Sequence, residues 1–478
     1  MLYTPSPSPF APAPATTRRN QYKRRTPENT VLYRIVRDHL DDLLEHARAR
    51  SEHGAGYPRF VQREFERFLD CGLLCRGFVR VRCDTCADER LVAFSCKTRG
   101  FCPSCTARRM AENAAHLVDT VLPAVPYRQW VLSLPRRIRF ALARSTSLLS
   151  KVLRLFLRKL FAWQRRRARV IGLDDSHPGA VTFVQRFGSL LNLNCHFHAL
   201  LPEGVFVRDD DGGVRFHLLP PPRGPEIARL VGQIARGIHK LVDRHFRDEQ
   251  DPTADILAHE QHAAITTVSP LPRLTIAPTR SGNCAAFVAG YSLHAGRLLD
   301  GDDRVALERL CRYGARAPIA NSRLTRGPDG HVVISLRKPL RDGRTQLRFS
   351  PLDFLRRLAT LIPPPRANLT RYHGVFAPNH HLRPAVVAFG RVTEPDTSQT
   401  TNPTARTENQ PKRRRLDWAN LLRRVFAIDI LRCDRCANPM RILAVIPHAD
   451  ATRAILEHLH LATDPPTPHS LDPPQHHR

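Results

Sequence analysis

His196, Phe197 and His198 lie in an apolar run, residues 190–201 (LLNLNCHFHALL), and are the residues in the chain best suited to chemistry. In an extended strand alternate side chains share a face, so both imidazoles can grip one cation while Phe197 packs into the core behind them. The same pair of histidines occurs in zinc hydrolases and among ordinary hydrogen-bonded strand residues, so the tripeptide alone leaves the chemistry open. A cation held by two imidazoles and one further ligand keeps positions free for phosphate oxygens, where it polarises a phosphodiester and stabilises developing negative charge. The third ligand should come from a neighbouring strand, and Gln185 is the candidate, an ordinary strand glutamine being the plainer reading. If the chain turns at Gly188 and Ser189, Gln185 faces Asn192 and sits roughly 13 Å along the strand from His196. A longer loop centred near Leu190 would bring the two opposite each other.

Hydrolysis needs only water, whereas strand transfer needs a side-chain nucleophile that keeps the phosphodiester energy in a covalent bond. Tyrosine suits DNA, and the chain has eight, among which chemistry alone does not choose. Tyr313 lies in a helical stretch, residues 307–318 (LERLCRYGARAP), with Arg304, Arg309, Arg312 and Arg316 nearby. Their guanidinium groups could hold a scissile phosphate. The plainer reading is a core tyrosine.

Charge narrows the partners. The chain carries 74 Lys and Arg against 44 Asp and Glu, a net charge of +30, and its pI is about 10.8. Such a surplus favours a polyanion through counterion release, and nucleic acid is the first choice. No segment reaches the roughly 18 to 20 uninterrupted apolar residues of a spanning helix. The N-terminus is broken by proline and has no apolar core of a signal peptide, so a cytoplasmic, nucleoid-associated protein is expected.

Reduced cysteines that cluster in such a protein point to metal ligation. Seven of twelve fall between positions 71 and 105. Two C-x-x-C knuckles, Cys83 with Cys86 and Cys102 with Cys105, are separated by 15 residues. That spacing lets a short hairpin bring four thiolates round one tetrahedral structural zinc. Cys71, Cys75 and Cys96 read most simply as small buried hydrophobes, with membership of a second site or exchange with one of the four ligands as the alternatives. A third knuckle, Cys433 with Cys436, cannot close a tetrahedral site by itself and needs partners from another segment or subunit. Arg99, Arg108 and Arg109 on the zinc-stapled segment suit phosphate contacts.

These residues must be positioned by an α+β chain. Residues 1–27 read as a disordered basic arm and 28–115 as a small zinc-binding module. Helical patterns run from Val31 to Leu44 and from Phe60 to Leu69. Residues 116–389 read as a central antiparallel sheet backed by helices. Strands are expected over 129–134, 181–187 and through the histidines, a hairpin joins 205–207 to 214–216, and a long amphipathic helix carries Leu148 to Phe161. Residues 390–415 read as a linker ending in a basic run at 412–415, 416–463 as a small C-terminal unit, and 464–478 as a disordered tail holding His469, His476 and His477.

Residues 82–86 (RCDTC) with 95–105 (SCKTRGFCPSC), 191–198 (LNLNCHFH), 312–320 (RYGARAPIA) and 371–378 (RYHGVFAP) resemble, in this order, rolling-circle insertion-sequence transposases, the ISCR-type elements included. The resemblance covers residues 30 to 385. It implies an N-terminal zinc-binding domain and a His-hydrophobic-His (HUH) nuclease domain. It further implies a divalent cation, magnesium or manganese, at His196 and His198, and Tyr313 as nucleophile on single-stranded element ends, with Arg312 and Arg316 beside it. Two-tyrosine members place another tyrosine four residues earlier, where this chain has Arg309, so the chain looks like the single-tyrosine branch. A second protomer in a homo-oligomer, or recycling after strand release, could then complete the reaction. A ribonuclease-H-like transposase using carboxylates and a zinc-dependent DNA-binding protein without catalysis are the competing readings.

Overall fold

The computed structural model describes residues 22–248, 256–266, 284–340, 342–390, 418–426 and 428–467. The expected arm as far as residue 21, the linker between 391 and 417 with its basic run, and the tail histidines lie outside them.

Helices α1 (Val31–Arg50) and α2 (Arg59–Leu69) lead to a hairpin of β1 (Phe78–Cys83) and β2 (Glu89–Ala93), then to α3 (Pro103–His116). The Thr30 hydroxyl caps α1 by accepting from the Tyr33 backbone N–H at 3.2 Å, satisfying a donor that the first turn leaves without a partner. Next come β3 (Tyr127–Ser133), α4 (Arg136–Arg144) and the long amphipathic α5 (Thr146–Val170). Short β4 (Ser176–His177) precedes two long core strands, β5 (Gly179–Phe187) and β6 (Leu193–Pro202), and a hairpin of β7 (Gly204–Arg208) and β8 (Val214–Leu218). Helices α6 (Gly224–Asp248) and α7 (Ile256–Thr266), strands β9 (Ala285–Val288) and β10 (Tyr291–Leu299), and α8 (Arg304–Gly314) follow. A small sheet of β11 (Leu324–Arg326), β12 (Val332–Ser335) and β13 (Gln346–Phe349) comes before α9 (Pro351–Leu361), β14 (Thr370–Gly374) and α10 (Arg383–Ala388). The last elements are α11 (Trp418–Phe426), β15 (Met440–Ile446) and α12 (Ala449–His458).

Six strands form the central sheet in the order β14-β5-β6-β3-β10-β9, each paired antiparallel with its neighbour. Every residue of β5 is buried, because helices cover both faces of the sheet. On one face Trp130, Leu132, Val184, Phe197 and Ala199 join a core with Leu153, Phe156 and Leu160 of α5 and residues of α1, α2 and α9. On the other face Tyr127, Val181, Phe183 and Leu200 pack with Leu307, Leu310 and Cys311 of α8. The alternation of β6 therefore sends Phe197 to the first face and His196 and His198 to the second, under α8.

The C-terminal unit is built onto the zinc-binding module. Strand β15 adds to β1 as the third strand of the small sheet β15-β1-β2, with Phe78 opposite Ile446 and Cys83 opposite Met440. Among the described residues no helix is long and apolar enough to cross a membrane.

Phe197 is fully buried between the two imidazole positions and stacks near Phe156, with ring centroids 6.4 Å apart. Phe197→Ala should cost about 3–5 kcal/mol in denaturant unfolding; a loss below about 1 kcal/mol would mean that this core does not anchor the histidine strand.

Candidate active site

The loop between β5 and β6 runs from Gly188 to Asn192, with the Gly188 N–H donating to the Asn192 carbonyl at 2.9 Å and Leu191 at φ +54°. This five-residue connection centres the hairpin near Leu190 and Leu191, and Gln185 comes to lie directly opposite His196, with Phe183 opposite His198. The two imidazoles are neighbours on one face, their ring centroids 4.9 Å apart. Burial pushes His196 down to about 4 and His198 down to about 3, so both are neutral near pH 7 and have lone pairs to offer.

The hydrogen bonds orient those lone pairs. His196 Nδ1 donates to the Asn194 carbonyl at 2.7 Å, which leaves Nε2 unprotonated. His198 Nδ1 lies 3.0 Å from the side-chain amide of Gln129. The near amide atom is Gln129 Nε2, which as placed donates to Nδ1; with the amide rotated half a turn its oxygen accepts from Nδ1–H instead, and His198 Nε2, buried and without a hydrogen-bond partner, becomes the free ligand atom. Gln185 donates from Nε2 to the carbonyls of Tyr313, at 2.9 Å, and Gly314, at 3.0 Å. Its Oε1 is buried without a partner. Two imidazole nitrogens and an amide oxygen are a donor set of the kind that divalent cations take.

Helix α8 delivers Tyr313 to this face. Asp303 caps its start, accepting from Ala306 at 2.8 Å, and its last turn ends at Gly314 against the sheet. A Cβ on Gly314 would meet the Phe183 ring at 2.6 Å, so glycine is what permits this approach. The Tyr313 ring stands edge-on to His198, centroids 5.9 Å apart, and is 39% exposed, which leaves the phenol open to a ligand. The Arg316 guanidinium covers the ring at 4.6 Å and the Phe187 ring at 5.2 Å.

The cysteines form two groups, each with its sulfurs within 4.8 Å of one another: Cys71, Cys96, Cys102 and Cys105, and Cys83, Cys86, Cys433 and Cys436. This corrects the single site expected for Cys83, Cys86, Cys102 and Cys105. The physical reason is the β1–β2 hairpin, whose sheet turns the first knuckle towards β15, while the second knuckle starts α3 and faces Cys71 and Cys96. Cys102 and Cys105 sit at the helix N-terminus, which favours thiolates. Cys71 and Cys96 are thus part of a cluster rather than simple hydrophobes, whereas Cys75 packs beside Leu74, Phe78 and Leu456.

A family model described as "Transposase zinc-binding domain", of the IS91 type, matches residues 35–134, and one described as "Putative transposase" matches residues 179–383. The chain belongs to the IS91-like transposases with a zinc-binding domain. No curated protein and no solved structure matches it. The zinc-binding domain and the cysteine clusters together support structural zinc in this transposase.

Beside the tyrosine the transposase opens a cleft of about 790 Å³ between the zinc-binding module and the sheet. Arg99, Arg108 and Arg109 line it from the module, and Gln185, Arg186, Arg316 and Arg371 from the other side. Arg109 Nη1 and Arg316 Nε are buried without hydrogen-bond partners, and burial lowers both guanidinium pKa values from the ordinary value. An anion entering the cleft would meet the guanidinium groups of the residues that line it. Arg312 is placed differently: it forms an ion pair with Glu308 one turn back on α8. Sequence reasoning gave no role to Gln129, whose local pattern is that of an ordinary strand residue, nor to Arg371, although Arg371 opens the motif at 371–378. Among the described residues no trio of carboxylates gathers as a carboxylate-metal transposase would need.

Gly314→Ala should force α8 off Phe183 and stretch the Gln185 amide bonds, lowering unfolding stability by about 1–3 kcal/mol. Unchanged stability in denaturant titration would show that α8 does not depend on this approach.

Proposed function

We propose that this transposase nicks and rejoins single-stranded DNA through a 5′-phosphotyrosine on Tyr313, moving its element by a rolling-circle-like route. The observation that carries the reading is the Tyr313 ring 5.9 Å from His198, with His196 and Gln185 on the same sheet face. His196, His198 and Gln185 would hold a magnesium or manganese ion, which when bound supplies Lewis-acid polarisation of the scissile phosphate. Tyr313 Oη attacks phosphorus as its proton passes to water. The bond from phosphorus to the 3′ oxygen breaks, and that oxygen takes up a proton and departs as a free 3′-hydroxyl.

The bond energy stays in the phosphotyrosine, so a later 3′-hydroxyl can attack it, release Tyr313 and join donor to target without ATP. Arg316 stacks on the attacking ring and carries a charge towards the phosphate. Arg99, Arg108, Arg109 and Arg316 form the path along which the strand's backbone lies. This reading implies a cytoplasmic, nucleoid-associated enzyme. It uses one tyrosine per chain, since Arg309 occupies the position one turn earlier on α8; a second protomer could supply another.

Incubation with manganese and labelled single strands of the element's ends should give a protein–DNA adduct that survives denaturation. It should vanish in Tyr313→Phe and fall at least about a hundred-fold in His196→Ala and His198→Ala; an undiminished adduct in Tyr313→Phe would sink the assignment. For strand binding, Arg108→Ala and Arg109→Ala should each reduce the slope of log affinity against log salt by about 0.7, the share of one phosphate on a single strand. Slopes equal to the parent's would remove the cleft from the DNA path.

A further inference from the structure

The family matches end at residue 383, well before the third knuckle, yet that knuckle completes a cluster begun 350 residues earlier. Residues 82–88 (RCDTCAD) and 432–438 (RCDRCAN) are one motif repeated. Each folds the same way. Ala87 and Ala437 both sit at φ +60°, and each donates its N–H to the carbonyl of the first cysteine, Cys83 or Cys433, at 3.0 Å. The N–H of that first cysteine in turn donates to the carbonyl of Asp88 at 2.9 Å or of Asn438 at 2.8 Å.

The two loops face each other. Cys83 Sγ lies 3.4 Å from Cys436 Sγ, and Cys86 Sγ lies 3.5 Å from Cys433 Sγ. Zn–S bonds of about 2.3 Å put the sulfurs of a tetrahedral site about 3.8 Å apart, whereas a disulfide would bring them to about 2.05 Å. Arg90 spans both loops, 2.9 Å from Asp434 and 3.8 Å from Asp88, with its side chain only 8% exposed. A buried cation between the loops offsets the negative charge that four thiolates leave around a divalent metal.

We propose that Cys83, Cys86, Cys433 and Cys436 form a second zinc site that clasps the C-terminal unit to the N-terminal module. The chain then holds two structural zinc ions, one inside the module and one closing the chain on itself. This does not rest on the strand-transfer reading. Its reach extends to the tyrosine helix, because Arg424 of α11, a few residues before the clasp, pairs with Asp119 at 3.0 Å and with Glu308 of α8 at 2.7 Å.

Metal analysis of the purified full-length protein tests the clasp. The expected content is two zinc ions per chain, falling to one in the Cys433→Ser, Cys436→Ser double variant and staying at two in Cys436→His, which keeps a zinc ligand. Cleavage of the parent at a protease site inserted between residues 390 and 418 covers the case of a variant that fails to fold. The two fragments should stay together in zinc and separate in chelator. One zinc per parent chain, two in the double variant, or fragments indifferent to chelator would overturn the proposal.

Discussion

The carboxamide of Gln185 is the point on which the site turns. Its N–H groups tie off the two carbonyls that end α8, and this anchors Tyr313 to the strand directly across from His196. A helix C-terminus leaves carbonyls without partners, so such a bond removes a penalty as well as fixing a position. The same side chain keeps a buried oxygen unpaired on the histidine face. One residue therefore sets both where the hydroxyl stands and which oxygen the proposed cation site has to offer.

Everything else can be understood as support for that arrangement. Helices on the far face bury Phe197 and hold the histidine strand flat, and Gly314 lets α8 come close enough for the amide to reach. The module cluster at Cys71, Cys96, Cys102 and Cys105 starts α3, which brings Arg108 and Arg109 to the wall of the cleft. Arg424 braces α8 from the opposite side, through carboxylates on two different elements. A basic chain with net charge +30 needs such anchors, because its cations repel one another across the cleft until a polyanion enters.

Much of this could be read from the residues themselves. The period of about 3.6 found α1, α2 and α5, because burial on one face writes it into the sequence, whereas β5, buried on both faces, was legible to within two residues as an apolar run, and the histidine strand lies in the apolar stretch around His196 and His198. The register of the hairpin could not be read. Leu191 adopts a left-handed conformation that a leucine rarely takes, and Gly188 with Ser189 looked like the more natural turn. Cysteine partnership was hidden for a different reason: spacing identifies a knuckle but not what faces it, and the partner of the first knuckle joins the sheet from the far end of the chain. Arg312 was separable from Arg316 in sequence, since Glu308 lies one turn before Arg312 as an i,i+4 partner whereas the residue one turn before Arg316 is another arginine.

The most direct test of the central claim is anomalous diffraction from crystals of the transposase soaked with manganese. A manganese peak bonded to His196, His198 and Gln185, with the Tyr313 hydroxyl facing it, is the expected result. An empty histidine face under saturating manganese, or a peak held by carboxylates elsewhere, would contradict it.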